Sequence, residues 1–331
     1  MPHLRQNVVT REWVVFAPER ARRPEDFARS AGERTHQRPV YRAECPFCPG
    51  HHEPELLRYP APEGGWQVRG LPNKFPALVP GPRPARVGDF FTRSMEGVGH
   101  HEVVVESPRH NTTLALMPPE QVLMVLRAWR ERNLALGQLP ETDHVVIYKN
   151  HGPRAGTSLE HPHSQVVSLP VAPSQVHQRM LVAQQHYDDW GLCLGCQVLE
   201  AEVADGRRLV ARGRHFTAFV PYAAFSPFFL WIFPHRHLGS FCQTSDEELA
   251  DLALLLREVL ARLYHGLGDP SYNLVLRVPS RHFASLPYLH YYLSVVPRLA
   301  SVAGFEMGTG MFINTSLPED DAAYLRGVAL P

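Results

Sequence analysis

The chain repeats its own order of landmarks, and that repetition limits what it can fold into. Cys45-Pro-Phe-Cys48 is answered by Cys193-Leu-Gly-Cys196, Phe75-Pro-Ala-Leu-Val-Pro80 by Phe216-Thr-Ala-Phe-Val-Pro221, and Glu106-Ser-Pro-Arg-His110 by Phe233-Pro-His-Arg-His237. After each of these histidines an apolar helical stripe opens at the same offset, at Val122 and at Leu249. A second histidine follows at nearly the same interval, His161 in one copy and His290 in the other, each leading into an apolar run. Order kept over such a distance implies two copies of one unit, with strands that pair into one large sheet or two related ones.

Each copy offers two cysteines and two histidines: Cys45, Cys48, His110 and His161, then Cys193, Cys196, His237 and His290. Four nitrogen and sulfur ligands with no open position describe a closed, structural tetrahedral zinc site, so two zinc ions per chain are expected. A disulfide framework suits small secreted chains, and Met1-Pro-His-Leu-Arg-Gln6 has no apolar leader. A thioredoxin-type redox pair would need a βαβ setting that the flanking residues lack. Cys242 is left over and reads as a buried thiol. The copies part at one position: with His290 set on His161, Tyr292 falls where His163 stands.

The stretch from Asn150 to Gln165, Asn-His-Gly-Pro-Arg-Ala-Gly-Thr-Ser-Leu-Glu-His-Pro-His-Ser-Gln, concentrates the chemistry. Glycines let backbone N–H groups approach an anion without a Cβ clash, so Gly152, Gly156, Thr157 and Ser158 read as a phosphate cradle. His161 and His163 stand two apart where a strand begins, and such residues share a face.

His-Pro-His-Ser-Gln preceded by Gly-Thr-Ser resembles the active-site signature of the histidine-triad superfamily, in the branch of the galactose-1-phosphate uridylyltransferases. The likeness runs from Trp13 to Pro318-Glu-Asp-Asp-Ala-Ala323. It implies an α+β fold of tandem histidine-triad-like repeats, mainly antiparallel sheet with packed helices. Residues 1–175 would form the repeat with the catalytic histidine, and 176–331 a repeat that keeps a metal site without the nucleophile. By the same likeness His163 attacks the α-phosphorus of a nucleoside-diphosphate sugar, Gln165 holds a phosphoryl oxygen, and Asn150, Gly156, Thr157 and Ser158 surround the phosphate. Trp13-Val followed by Pro18-Glu-Arg20-Ala-Arg-Arg23-Pro resembles the family's N-terminal segment and marks Arg20 and Arg23 for phosphate or nucleotide contact. Guanidinium forks suit that role, although charge clusters also form plain solvated turns. Asn73 and Phe75 resemble the base- and ribose-binding segment, within Pro72 to Pro80, which reads as a strand bounded by prolines. His100 and His101 receive no role.

The activity implied is ping-pong transfer of a nucleotidyl group from UDP-glucose to galactose 1-phosphate through nucleotidyl-His163. Two departures lean toward the related ADP-glucose phosphorylases, which pass AMP to phosphate. The second metal quartet is Cys-Cys-His-His, and Gly304 to Asn314 lacks a Glu-Thr-Gln hexose reader. A nucleotide hydrolase and a non-catalytic zinc module are further alternatives. Nucleic acid is disfavoured by zero formal net charge and by the lack of interleaved aromatic and basic residues. No run reaches the roughly 18 apolar residues of a spanning helix, so a cytoplasmic protein with no membrane partner is expected, and the family implies a homodimer.

Overall fold

The computed structural model describes residues 1–20, 34–51 and 54–331, with Arg20 and Arg281 described in backbone only. Its strands are β1 (His3–Gln6), β2 (Trp13–Phe16), β3 (Leu57–Pro60), β4 (Trp66–Pro72), β5 (His100–Val105), β6 (His144–His151), β7 (His163–Leu169), β8 (Leu209–Arg212), β9 (Phe216–Phe219), β10 (Leu230–Pro234), β11 (Tyr272–Arg277), β12 (Tyr292–Pro297) and β13 (Phe312–Asn314). Among the described residues the helices are α1 (Pro119–Gly137), α2 (Ser174–Trp190), α3 (Leu194–Asp205), α4 (Asp246–Leu267), α5 (Gly304–Thr309) and α6 (Pro318–Gly327).

Ten strands form one antiparallel sheet in the order β3-β4-β5-β7-β6-β11-β12-β10-β9-β8. Either side of the central β6–β11 pair, the order of the first five strands mirrors that of the last five. The internal repeat of the sequence has become a single α+β sheet with a near two-fold seam, where Asn150 pairs with Asn273 and Tyr148 with Val275. The outermost strands, β3 and β8, have four residues each. Each is bulged against its neighbour, between Tyr59 and Pro60 and between Leu209 and Ala211.

Alternation along the strands decides which side chains meet the core. On β7, Ser164 faces α1 and its hydroxyl accepts a bond from Trp129 Nε1 at 2.7 Å, while His163 and Gln165 take the opposite face. Helices α1 and α4 pack against each other over the sheet, burying Val122, Leu126 and Trp129 from one and Leu249, Leu256 and Leu263 from the other. Ser245 caps α4 as its sequence predicts: its hydroxyl accepts from Glu248 N, and the Glu248 carboxylate accepts from Ser245 N. The helix runs past Gly266 to Leu267 and is closed by Gly268, which takes the left-handed conformation. Gly266 answers to packing instead, since a Cβ there would lie 2.7 Å from Val328 Cγ2. Cys242, expected as a buried thiol, is half-buried.

Pro72 to Pro80 is not the strand its sequence suggests. Past β4 the chain bends, keeping one isolated bridge between Val79 and Val98. Proline nitrogens at 72, 76 and 80 cannot donate to a ladder, and Asn73 Oδ1 turns the chain locally by accepting from Phe75 N at 2.9 Å. Strands β1 and β2 complete a small sheet with β13. Arg5 pins it, with its guanidinium over Tyr222 at 4.5 Å and 3.0 Å from Glu319, so the N-terminal strands rest against the C-terminal half of the chain. No helix is long and apolar enough to cross a membrane among the described residues.

Candidate active site

Strand β6 delivers Asn150 to the glycine loop, and the loop returns the chain through His161 into β7. Gly152 at φ 78° and Gly156 at φ 83° bracket a 3-10 turn over Pro153–Ala155, a path open to residues without a Cβ. At Gly152 the chain also approaches the residue before β11 closely, since a Cβ would fall 2.3 Å from Ser271 Oγ. Thr157 Oγ1 donates to Leu159 O at 3.0 Å and shapes the loop, while Ser158 is exposed. Beside the loop a cleft of about 500 Å3 is lined by Asn150, Gly152, Thr157, Ser158 and His161, with Arg38, Arg154 and Arg298 on its wall beside the carboxylates of Glu160 and Asp269. His163 is not on that wall; its ring packs against Phe47 at 5.2 Å, as does that of His161 at 6.0 Å.

The proton on His163 is placed by its neighbour. Nδ1 lies 2.9 Å from the carbonyl oxygen of His161, which can only accept, so Nδ1 carries the hydrogen and the Nε2 lone pair is free. Burial holds this imidazole below its ordinary pKa, against an opposing pull from that carbonyl. It is a neutral base at neutral pH.

The Gln165 amide is also oriented. Ala77 N donates to His101 Nδ1 at 3.1 Å, which leaves the imidazole hydrogen on Nε2. That nitrogen lies 2.7 Å from Gln165 Oε1, and Tyr148 Oη donates to the same oxygen at 2.8 Å. With its carbonyl doubly satisfied, Gln165 keeps its NH2 group for another acceptor. Asn150 follows the same pattern: its Oδ1 accepts from Asn273 Nδ2 at 2.8 Å, and Asn273 also holds Ala155 O at 2.9 Å. His101, Tyr148 and Asn273 are absent from the sequence-derived site. The register β5-β7-β6-β11 joins them to it, and no local motif announces that register.

Of the nucleotide-contact candidates, Asn73 lies beside His101, and the bend after β4 is tied to β7 through that imidazole by the Ala77 N–H bond to its Nδ1. Phe75 is 83% exposed and is not core. Arg23 lies outside the described residues, as does the side chain of Arg20.

Both cysteine–histidine quartets converge. Within each, the ligand atoms lie within 4.8 Å of one another. Cys48 Sγ is 3.6 Å from His110 Nδ1 and 3.5 Å from His161 Nδ1, and Cys196 Sγ is 3.4 Å from both His237 Nδ1 and His290 Nδ1. Zinc bond lengths at a tetrahedral angle call for a sulfur–nitrogen edge of roughly 3.6 Å. The outer nitrogens fit as well: His161 Nε2 donates to Ser107 O at 2.7 Å and His290 Nε2 to Pro234 O at 3.2 Å, the same offset before each copy's other histidine. Burial takes His161 down to about 3, so it offers a lone pair at any ordinary pH. All four residues of the first quartet are buried, whereas in the second Cys196 is half-buried and His237 exposed.

Residues 1–173 match the family described as galactose-1-phosphate uridyl transferase, N-terminal domain. An Arabidopsis thaliana ADP-glucose phosphorylase is 34% identical over 99% of this chain and 93% of its own length. A Thermotoga maritima galactose-1-phosphate uridylyltransferase is 30% identical over 98% of both. Among solved structures, the Arabidopsis thaliana ADP-glucose phosphorylase with bound ADP-glucose superposes with a TM-score of 0.84 at 33% identity over 100% of both chains. A uridylyltransferase superposes at 0.75 and 29% identity, over 98% of this chain and 97% of that one.

Proposed function

The chain belongs to the galactose-1-phosphate uridylyltransferase family, and from that premise we propose that it moves a nucleotidyl group between phosphates by a ping-pong route through His163. It is an enzyme of the nucleotidyltransferase class. The reaction proposed first is UDP-glucose plus galactose 1-phosphate to glucose 1-phosphate plus UDP-galactose. The observation that carries it is the His163 Nδ1 contact with His161 O, which leaves Nε2 as a neutral nucleophile.

The Nε2 lone pair attacks the α-phosphorus, and the bond from that phosphorus to the bridging oxygen breaks, so the sugar 1-phosphate leaves with the electron pair. An acceptor phosphate oxygen then attacks the same phosphorus, and the N–P bond electrons return to Nε2. Positive charge on the nucleotidyl-imidazole is eased by the Nδ1–H bond to His161 O. The free NH2 groups of Gln165 and Asn150, with donors of Gly156, Thr157 and Ser158, meet charge on the phosphoryl oxygens. Arg20 and Arg23 contact the phosphates or the nucleotide, and Asn73 and Phe75 the ribose and base. Stacking on Phe75 discriminates little between uracil and adenine, so both donors load His163, one preferentially.

The two quartets hold zinc, Cys45, Cys48, His110 and His161 in one site and Cys193, Cys196, His237 and His290 in the other. A metal there supplies cross-linking; in the first site it fixes His161, whose carbonyl sets the tautomer of His163. Residues 1–175 act as the catalytic repeat and 176–331 as a repeat with a metal site alone, in a cytoplasmic homodimer.

Adenylyl transfer from ADP-glucose to phosphate is the second reading. It is favoured by the 34% identity to the plant ADP-glucose phosphorylase and by the Cys-Cys-His-His composition of the second quartet. Intact-mass analysis after incubation with UDP-glucose or ADP-glucose alone should show one uridylyl or one adenylyl group per chain. Each acceptor in turn should then remove it. His163→Gly should carry neither adduct while unfolding as wild type does; an adduct on that variant, or turnover within about tenfold of wild type, would overturn the assignment.

A further inference from the structure

A second cavity, of about 440 Å3, lies on the same face of the sheet, where the strands of the C-terminal half adjoin β6 and the end of β7, and shares no lining residue with the cleft beside the glycine loop. Its place is the counterpart of the catalytic one. Tyr148 pairs with Gln165 in one half as Val275 pairs with Ser294 in the other, so Tyr292 stands for His163 and Arg277 for Asn150. Val146, Leu169, Met180, Phe233, Val275 and Tyr292 give it apolar walls. Helix α2 forms its roof, and not one of that helix's residues is fully buried, so its inner face spans the cavity without filling it.

Two cations face this apolar space. Arg277 Nε donates to Ser294 Oγ at 3.0 Å, and Arg179 reaches Gln175 O at 3.4 Å while its Nε is buried without a partner. No Asp or Glu lines the cavity, and among the described residues no carboxylate lies within 4 Å of either guanidinium. Burial and the like charge of Arg179 pull Arg277 down to about 10, with Tyr292 and Glu12 opposing, and it stays charged at neutral pH. Paired cations in a low-dielectric setting repel each other until an anion joins them. The volume suits a small organic ligand.

We propose that this cavity is a second ligand site, separate from the catalytic one, for a small anion with an apolar body, its charge held by Arg277 and Arg179. Titration of the full-length, metal-loaded protein with the fluorescent probe 8-anilinonaphthalene-1-sulfonate tests it. One saturable site per chain is expected, displaced by octanoate and not by octanol at equal concentration. Arg277→Met on the sheet and Arg179→Met on the roof should each weaken the probe about tenfold, the scale of a charge-assisted contact. The second variant sits on a helix without buried residues and so tests the site without disturbing the core. Absence of saturable binding, unchanged affinity in both arginine variants, octanol competing as well as octanoate, or displacement by the nucleotide sugar would each overturn the proposal.

Discussion

His101 Nε2 lies 2.7 Å from Gln165 Oε1, across the β5–β7 ladder. Because Ala77 N occupies the other ring nitrogen, His101 presents a hydrogen to Gln165, and Tyr148 adds a second donor to the same oxygen. These two residues act through Gln165 and need not touch the substrate. His101→Ala with Tyr148→Phe should lower kcat by roughly ten- to a hundredfold, the rate equivalent of about 1.4–2.7 kcal/mol, with KM little changed. Steady-state kinetics on the single and double variants checks this, and a double variant with wild-type kcat would contradict it.

Beneath β7, Lys149 Nζ is 2.7 Å from Glu106 Oε2 and 3.1 Å from His163 O, with both side chains almost fully buried. Lys149→Met leaves a carboxylate buried without its cation, which costs about 3–5 kcal/mol. Adding Glu106→Gln should restore much of that stability. Urea unfolding of the two single variants and the double closes the cycle; additive losses would show that the pair does not interact.

The quartets differ in exposure, and their metals should leave at different rates. A chromogenic chelator should release metal in two phases of about one equivalent per chain each. The fast phase belongs to the site with exposed His237 and disappears in Cys196→Ser. Transferase activity should follow the slow phase, because His161 belongs to the buried site. Loss of activity in step with the fast phase would reverse that order.

Asp321 accepts from Phe228 N at 2.8 Å and from the Ser316 hydroxyl, and burial pushes its carboxyl up to about 7 despite both donors. The folded chain therefore keeps a proton that the unfolded chain has lost above the ordinary value of 3.8. Stability from this group is complete below about pH 4, declines as pH rises toward 7, and is flat beyond. Between pH 5 and 8 the loss is on the order of 2–3 kcal/mol. Asp321→Asn should flatten that part of the profile, measured as unfolding free energy at the two pH values. An unchanged difference would place the titration elsewhere.

Much of the candidate site is legible in the sequence because its members carry local signatures. Cys-x-x-Cys, Ser-Pro-Arg-His110 and His-Pro-His-Ser-Gln each declare themselves within a few residues, and the repeat doubles the first two kinds of signal. His101, Tyr148 and Asn273 declare nothing, since their roles arise only when β5 and β6 flank β7 and β11 joins β6 at one register. Pro72 to Pro80 misleads for the opposite reason: its short apolar run between prolines reads as a strand, but the prolines remove the donors a ladder needs.

The short, bulged strands at the two ends of the ten-stranded sheet bear on how one copy can meet another. A second chain could lengthen the sheet only by hydrogen bonding to β3 or β8. Each offers four residues, and each is kinked by its bulge. At β8 the Arg326 guanidinium already donates to Leu209 O, as well as to Arg207 O at 3.1 Å. Continuation of the ladder is thus blocked at that end and poorly templated at the other. A two-chain assembly would have to form through other surfaces, among them the loops on which the glycine turn and the exposed ring of Phe75 already lie.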